Sequence, residues 1–338
     1  MIESRTKIRI NGVKELLAVP GRSLLATLRE EQVFLSSGCG GRGACGMCRV
    51  KINSGVASAF STTELHWLSE KERSEGFRLA CQVVVAGDLD IEVPQKAFSI
   101  RRYRTQVASI TDLTHDVKGV RLRLVDPPEM NFRAGQFIHF EVPSYDGVAG
   151  PVYRAYSIAS DPDVNGEIEL EVKNARGGAS TTYIHEHLKA GDDVTIIGPD
   201  GELCLRKTDR NIVFIAGGTG MAPIRSMLFE MRNAGDRRKA VFFLGVKTAE
   251  DLVLADEIRE LEKQLPNFRF VPALSDPVPG DNWQGEKGLV PEVVGRLLDS
   301  GQNTEAYLCG NPPMINACIK VLKAKGIPDE LIYFDRFV

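Results

Sequence analysis

Cys39, Cys45 and Cys48 lie in one glycine-rich stretch, Ser36 to Val50 (SSGCGGRGACGMCRV), and Cys81 follows after 32 further residues. The spacing C-x5-C-x2-C-x32-C offers four thiolates, the ligand set of an iron–sulfur cluster or of a structural zinc. Gly38, Gly40, Gly41, Gly43 and Gly46 separate the two readings. A [2Fe–2S] cluster needs a loop wrapped closely around it with backbone N–H groups aimed at sulfur, and that calls for residues tolerant of positive φ. A zinc ribbon more often shows paired C-x2-C knuckles, and only one is present here. The metal ligands expected are therefore Cys39, Cys45, Cys48 and Cys81 around [2Fe–2S]. Zinc and unligated buried cysteines are the alternatives.

Two further groups of residues have types and spacings fit for redox cofactors. In the first, Arg154-Ala155-Tyr156-Ser157 is followed by Lys173 and by Gly178-Ala179-Ser180-Thr181-Thr182. An arginine can grip phosphate bidentately, a tyrosine can pack on a planar ring, and a serine can hydrogen-bond near a ring nitrogen. Gly178 to Thr182 enters a helix, and a helix start attracts anions. Alone, R-x-Y-S fits an ordinary strand with an exposed arginine; the Gly-Gly-x-Ser-Thr helix start about 20 residues on strengthens a flavin site. In the second group, Gly217-Gly218-Thr219-Gly220-Met221-Ala222-Pro223 stands between an apolar run and a helical stretch, the context of a phosphate-binding turn. It is not G-x-G-x-x-G, so the common dinucleotide fingerprint does not apply. Cys309-Gly310-Asn311-Pro312-Pro313-Met314 ends another apolar run. A lone cysteine there is more often a small core residue.

The elements that must position these groups fall into three blocks. In residues 1–96, Thr6 to Ile10 alternates at period two and ends at the turn signal Asn11-Gly12. Ser23 can cap a helix to Glu31 with Leu24, Leu25 and Leu28 on its apolar face. Val83 to Val93 reads as a closing hairpin about Gly87-Asp88. Pro94 to Arg104 reads as a solvated linker, because a proline opens it and four of its eleven residues are basic. Residues 97–206 show short apolar runs between turn signals, the mark of a barrel or sandwich, with one helix over Thr181 to Lys189. In residues 207–338, runs at Ile212 to Ala216 and Val241 to Gly245 alternate with helical stretches at Ile224 to Asn233 and Asp256 to Gln264. That alternation predicts βαβ units and a parallel sheet.

Four motifs in this order resemble the ferredoxin-NADP reductase superfamily, whose flavin motif is R-x-Y-S and whose nicotinamide motifs are G-G-x-G-x-A-P and C-G-x-P-x-M. The text around the cysteines, LLATLREEQVFLSSGCGGRGACGMCRVKI and ERSEGFRLACQVVVAGDLDIEVP, is similar to the flavin subunits of sodium-translocating NADH:quinone reductases, and the domain order also resembles oxygenase reductase components. Plant-type ferredoxins have four residues between the first two cysteines; the five here depart from them and match the reductase family. The resemblance implies a multidomain fold: a β-grasp [2Fe–2S] ferredoxin domain, an antiparallel β-barrel flavin domain and an α/β parallel-sheet nicotinamide domain. It implies FAD rather than FMN, held by Arg154, Ala155, Tyr156, Ser157, Lys173, Gly178, Ser180, Thr181 and Thr182. It places the dinucleotide on Gly217, Gly218, Thr219, Gly220, Met221, Pro223, Cys309, Gly310, Pro312 and Met314. Cys309 is expected beside the carbon that gives up hydride, Ser157 near flavin N5, and Phe337 over the flavin face.

NADH is expected over NADPH. Around the ribose site Lys247 favours a 2′-phosphate, whereas Glu250 and Asp251 favour a free hydroxyl. Trp283 reads as a core plug. The expected activity carries electrons from NADH through FAD to the cluster and on to a protein acceptor, an oxygenase or other redox enzyme. A plant-type cluster lies at roughly −400 mV, so a ferredoxin:NAD oxidoreductase running in reverse stays open. So does a redox-sensing or zinc-stabilised binding subunit without turnover. With Arg42 and Arg49 and no acid, the cluster loop is expected to meet an acidic or apolar patch.

Composition limits the rest. The chain has 338 residues, 26% charged, with net charge −3, so it carries no nucleic-acid signature. No apolar run approaches the ~18 residues of a membrane span. The opening MIESRTKIRI is polar and alternating, unlike a signal peptide or the N-terminal anchor of the sodium-translocating family. Thiolate-bound iron points to a reducing, cytoplasmic setting. The five histidines show no competing metal spacing.

Overall fold

The computed structural model describes residues 5–337 apart from Pro279 and Asp281, so the first four residues of the polar N-terminus and Val338 lie outside it. Three sheets follow one another along the chain. The first has five strands in the order Lys14–Ala18, Thr6–Ile10, Val85–Glu92, Arg49–Ala57, Phe77–Leu79. The helix Leu24–Glu30 buries Leu24, Leu25 and Leu28 against it, and Ser23 caps that helix by accepting from the Ala26 N–H at 3.2 Å. This is the β-grasp arrangement the sequence predicts.

Two local expectations fail here. Val83 to Val93 is no hairpin: Val85–Glu92 is one strand, paired antiparallel to Arg49–Ala57 and parallel to Thr6–Ile10. The turn signal lies in a bulge of that strand: the register runs from Gly55 opposite Leu89 to Ala57 opposite Val85, so Ala86, Gly87 and Asp88 face Val56 alone, and Gly55 at φ +112° comes so close that a Cβ would sit 2.0 Å from the Asp88 carbonyl. Nor is Pro94 to Arg104 a solvated linker. Gln95–Phe98 forms a 3-10 turn, Ala97 and Ile100 are buried, and the basic residues from Arg101 on open the strand Arg101–Asp112. Arg102 and Arg104 alternate with buried Tyr103 and Thr105 on a strand inside the next sheet.

That second sheet is antiparallel, in the order Glu167–Lys173, Val117–Asp126, Arg101–Asp112, Asp193–Asp200, Phe137–Val142, Val152–Ser157. It curls until its edges meet through the Ile158–Leu170 bridge. Its interior is filled by Leu122, Ile138, Phe140, Ile168, Val172 and Ile196. The helix expected at Thr181 to Lys189 starts earlier, at Ala179, and passes into a π turn at Tyr183–His187.

The third sheet is parallel, in the order Glu286–Lys287, Phe268–Leu274, Ala240–Val246, Asn211–Gly217, Thr304–Gly310, Ile332–Arg336. Met221–Asn233 and Ala255–Gln264 cover one face; Val290–Leu297 and Pro312–Ala324 cover the other. Strand order reverses between Asn211–Gly217 and Thr304–Gly310. In open α/β sheets, ligands bind outside the carboxyl ends of the strands at such a switch point. Those ends are Gly217 and Gly310.

Candidate functional site

The cluster loop doubles back on itself through left-handed glycines, with φ of +69°, +102°, +79° and +64° at Gly40, Gly41, Gly43 and Gly46. Its four cysteines converge as two pairs. The Cys45 thiol donates to Cys39 at 3.4 Å, and the Cys48 and Cys81 thiols face each other. The hydrogen bond from Cys45 pulls the Cys39 thiol down to about 4, helped by backbone N–H groups of Ala44, Gly41 and Arg42. Cys48 brings Cys81 down to about 7, while Cys45 and Cys48 are pushed up. Two thiol pairs within a nest of N–H donors suit two irons, each taking two thiolates. Zinc would need the four sulfurs equivalent around one centre.

The helix Thr62–Trp67 braces this loop. The Trp67 indole donates to the Gly43 carbonyl at 2.9 Å. Glu64, fully buried on that helix, accepts from Arg78 at 2.7 and 3.0 Å and from the Leu79 N–H at 3.1 Å, two residues before Cys81.

Arg154, Ala155, Tyr156 and Ser157 end the last strand of the curled sheet, Val152–Ser157. The buried Tyr156 phenol donates to Ser180 Oγ at 2.9 Å, and burial pushes it up to about 12, so it stays neutral. Ser180 is sealed at the start of the short helix, behind Gly178 as its N-cap, while Thr181 Oγ1 donates to the Gly178 carbonyl and Thr182 closes the helical turn. Lys173 ends the neighbouring strand and pairs with Asp116 at 2.8 Å. The strand of Arg154 to Ser157 and the helix start at Gly178 thus form one wall, joined through Tyr156 and Ser180. The structure also brings that wall against the cluster loop. Arg154 Nη1 donates to the Tyr153 carbonyl at 2.7 Å and reaches the Cys39 carbonyl at 3.5 Å. A Cβ on Gly40 would lie 1.9 Å from the Tyr153 carbonyl oxygen, so the two backbones touch there.

At the switch point, Gly217, Gly218, Thr219 and Gly220 turn into the helix that begins at Met221 and carries Pro223. The adjacent strand ends at Cys309 and Gly310, and Asn311 caps the helix of Pro312 and Met314, accepting from the Met314 N–H at 3.0 Å. The two turns are in contact: a Cβ on Gly220 would sit 2.1 Å from the Cys309 carbonyl oxygen, and Met314 Sδ covers Gly217. Cys309 is completely buried, and burial pushes its thiol well up, so it is a neutral thiol. The Phe337 N–H donates to the Gly310 carbonyl at 2.9 Å, and its ring stays 39% exposed beside these turns. Trp283 packs half-buried against the sheet core and donates to the Glu286 carbonyl at 2.9 Å, at the margin of the core rather than inside it. Of the residues expected at the ribose site, Asp251 accepts from the Thr248 N–H at 2.9 Å, while Lys247 and Glu250 are exposed.

Sequence reasoning missed the residues that join the blocks. Asp200, sealed at the end of the strand Asp193–Asp200, accepts from Ser36 Oγ at 2.8 Å, just ahead of the cluster loop, and lies 3.5 Å from His139. Arg29 stacks on the Tyr153 ring at 3.9 Å. Arg225 ties the third sheet's first helix to Glu169 of the curled sheet at 2.7 Å. No periodicity marks such residues, because each partner lies in another block.

Three family models match in order: the 2Fe-2S iron-sulfur cluster binding domain over residues 8–86, the oxidoreductase FAD-binding domain over 104–204 and the oxidoreductase NAD-binding domain over 214–320. One subunit of the Na(+)-translocating NADH-quinone reductase of Neisseria meningitidis is 36% identical across 99% of this chain and 92% of its own length. The chain belongs to this family of iron–sulfur flavoprotein oxidoreductases. The counterpart from Pseudoalteromonas atlantica is 37% identical over 99% of this chain and 92% of its own. Among solved structures, the Amycolatopsis cytochrome P450 reductase GcoB superposes with a TM-score of 0.80 at 28% identity, covering 98% of both chains. A ferredoxin reductase in carbazole 1,9a-dioxygenase follows at 0.77 and 27%, covering 99% of both. The family's cofactors are a [2Fe–2S] cluster, FAD and NAD, and its chemistry is electron transfer. Among the described residues, no helix is long and apolar enough to cross a membrane.

Proposed function

We propose that this chain is an NADH-dependent reductase that delivers electrons, through FAD and the [2Fe–2S] cluster, to a protein acceptor in the cytoplasm. The observation that carries the reading is the contact of Arg154 and Tyr153 with Cys39 and Gly40, which joins the flavin wall to the cluster loop. When bound, the nicotinamide supplies a hydride, the flavin divides the electron pair and the cluster accepts electrons singly. The protein's part is positioning. Cys39, Cys45, Cys48 and Cys81 hold the irons. Arg154 and the turn from Gly178 to Thr182 would hold the flavin's phosphates, Tyr156 would wall its ring and Ser157 would hydrogen-bond near its reactive nitrogen. Gly217 to Pro223, with Gly310, Pro312 and Met314, receives the dinucleotide. The neutral Cys309 thiol would lie beside the dinucleotide's reactive carbon without adding a negative charge there, and Phe337 would cover the flavin face.

The three functional units run over residues 1–96, 97–206 and 207–338. Glu250 at the ribose position and the NADH-quinone reductase relatives support NADH over NADPH. Cys39 and Cys48 are buried but Cys45 and Cys81 are half-exposed, with Ala44 and Met47 standing out on either side of Cys45. The acceptor docks on that side, away from the flavin wall.

The test is the visible spectrum of the purified holoprotein under anaerobic conditions. Adding NADH bleaches both the flavin and the iron–sulfur bands. A colourless protein containing zinc, or bands that NADH leaves untouched, would end the proposal.

A further inference from the structure

Glu171 lies on the outer face of the curled sheet, in the strand Glu167–Lys173, which packs against the Gly218–Gly220 turn. Both its carboxyl oxygens are sealed from solvent, and neither has a hydrogen-bond partner among the described residues. A carboxylate in that condition is strongly disfavoured as the ion, because nothing replaces the hydration it has lost. The charged groups facing it are Arg225 from the helix Met221–Asn233, Glu257 from Ala255–Gln264, and Glu169 on its own strand. Arg225 donates to Glu257 at 3.0 and 2.9 Å, to Glu169 at 2.7 Å and to the Ala159 carbonyl at 3.2 Å. Glu169 also pairs with Arg121. Two guanidinium groups already balance Glu169 and Glu257, so among the described residues no cation is left over for Glu171. Burial pushes its carboxyl up to about 8, with Glu257 and Glu169 reinforcing the shift against Arg225.

Arg225 sits five residues beyond Gly220 and fastens the start of that helix to the curled sheet. We propose that Glu171, held as the neutral acid, is a positioning residue for dinucleotide binding, and that its ionisation draws Arg225 off Glu257 and loosens the turn at Gly218–Met221. This rests on the reading of that turn as the nicotinamide-dinucleotide site. An ionised Glu171 also places an unbalanced negative charge beneath the turn that must receive a diphosphate. By reciprocity, bound dinucleotide holds the proton on Glu171.

Stopped-flow reduction of the flavin in the holoenzyme, over a range of NADH concentrations from pH 6.5 to 9.5, separates affinity from limiting rate. In the native protein the apparent NADH dissociation constant rises by roughly fivefold or more above pH 8, while the limiting rate changes much less. Glu171→Gln, which imitates the neutral acid, holds its pH 7 affinity across the range. Arg225→Gln shows the weakened affinity already at pH 7. A native affinity flat with pH, or a Glu171→Gln profile that rises like the native one, overturns the proposal and leaves the turn's assignment standing. Gly220→Ala tests that assignment separately. If Gly220→Ala binds NADH as tightly as the native protein at pH 7, the assignment fails and the proposal falls with it.

Discussion

Gly40 carries two demands at once: its φ of +69° and the Tyr153 carbonyl 1.9 Å from where a Cβ would stand. The contact is backbone to backbone, so a side chain cannot be accommodated by rotating a neighbour. Gly40→Ala must push the loop off the flavin wall. The expected result is a cluster that still assembles and flavin reduction by NADH that is little changed, with transfer from flavin to cluster slowed at least about tenfold, the range a small misplacement costs. Stopped-flow traces at flavin and cluster wavelengths check it; simultaneous bleaching at native rates would refute it. Cys81→Ser tests a different property, because it removes one thiolate of the Cys48–Cys81 pair. Iron analysis should find the cluster lost or labile, with flavin retained.

At the scale of elements, the helix Thr62–Trp67 holds the fourth cysteine in place through Glu64. Burial works against ionising that carboxyl, but Arg78 and the Ser61 and Leu79 N–H groups hold it below its usual 4.5. Folded Glu64 therefore binds its proton more weakly than unfolded Glu64. Its stabilisation is present above the usual carboxylate value and is lost as pH falls through the lower folded value. Glu64→Ala leaves Arg78 buried without its partner, at a cost of about 3–5 kcal/mol. Thermal unfolding and iron release should both shift strongly, and a melting curve like the native one would show that Arg78 finds another partner. This helix and its capping box, with Ser61 accepting from Glu64 N–H and Glu64 from Ser61 N–H, carry a readable signature. The bulge opposite Gly55 does not, because Gly87-Asp88 looks like a turn until pairing on either side of it, at Val85 and at Leu89, carries the strand through.

Across the whole molecule, the blocks are joined by apolar seams and by side chains that cross them. Phe34, Ile100, Tyr153 and Ile197 form a small apolar cluster between the first sheet and the curled one. Beside it, Asp200 receives Ser36, lies 3.5 Å from His139 and sits 3.7 Å from Lys96. Ser36 and Asp200 act as one contact, so Ser36→Ala and Asp200→Asn should each slow flavin-to-cluster transfer. In unfolding by denaturant their effects should fall short of additive by about 0.5–3 kcal/mol. Strict additivity would mean that the contact does not hold the blocks together.

The sequence by itself marked three candidate cofactor sites and their order, since each motif is local: four cysteines among glycines, R-x-Y-S before a helix start, a glycine turn after an apolar strand. Chemistry of that kind depends on neighbours within a few residues, and spacing preserves it. What only the tertiary structure decided is where these sites face one another. Contacts such as Arg154 with Cys39, Asp200 with Ser36 and Arg225 with Glu169 join residues far apart in the chain. Nor does the sequence mark Glu171 as unpartnered, because that depends on which cations its neighbours have already claimed. Burial and pairing are properties of the packed surfaces, and those exist only once the three sheets have come together.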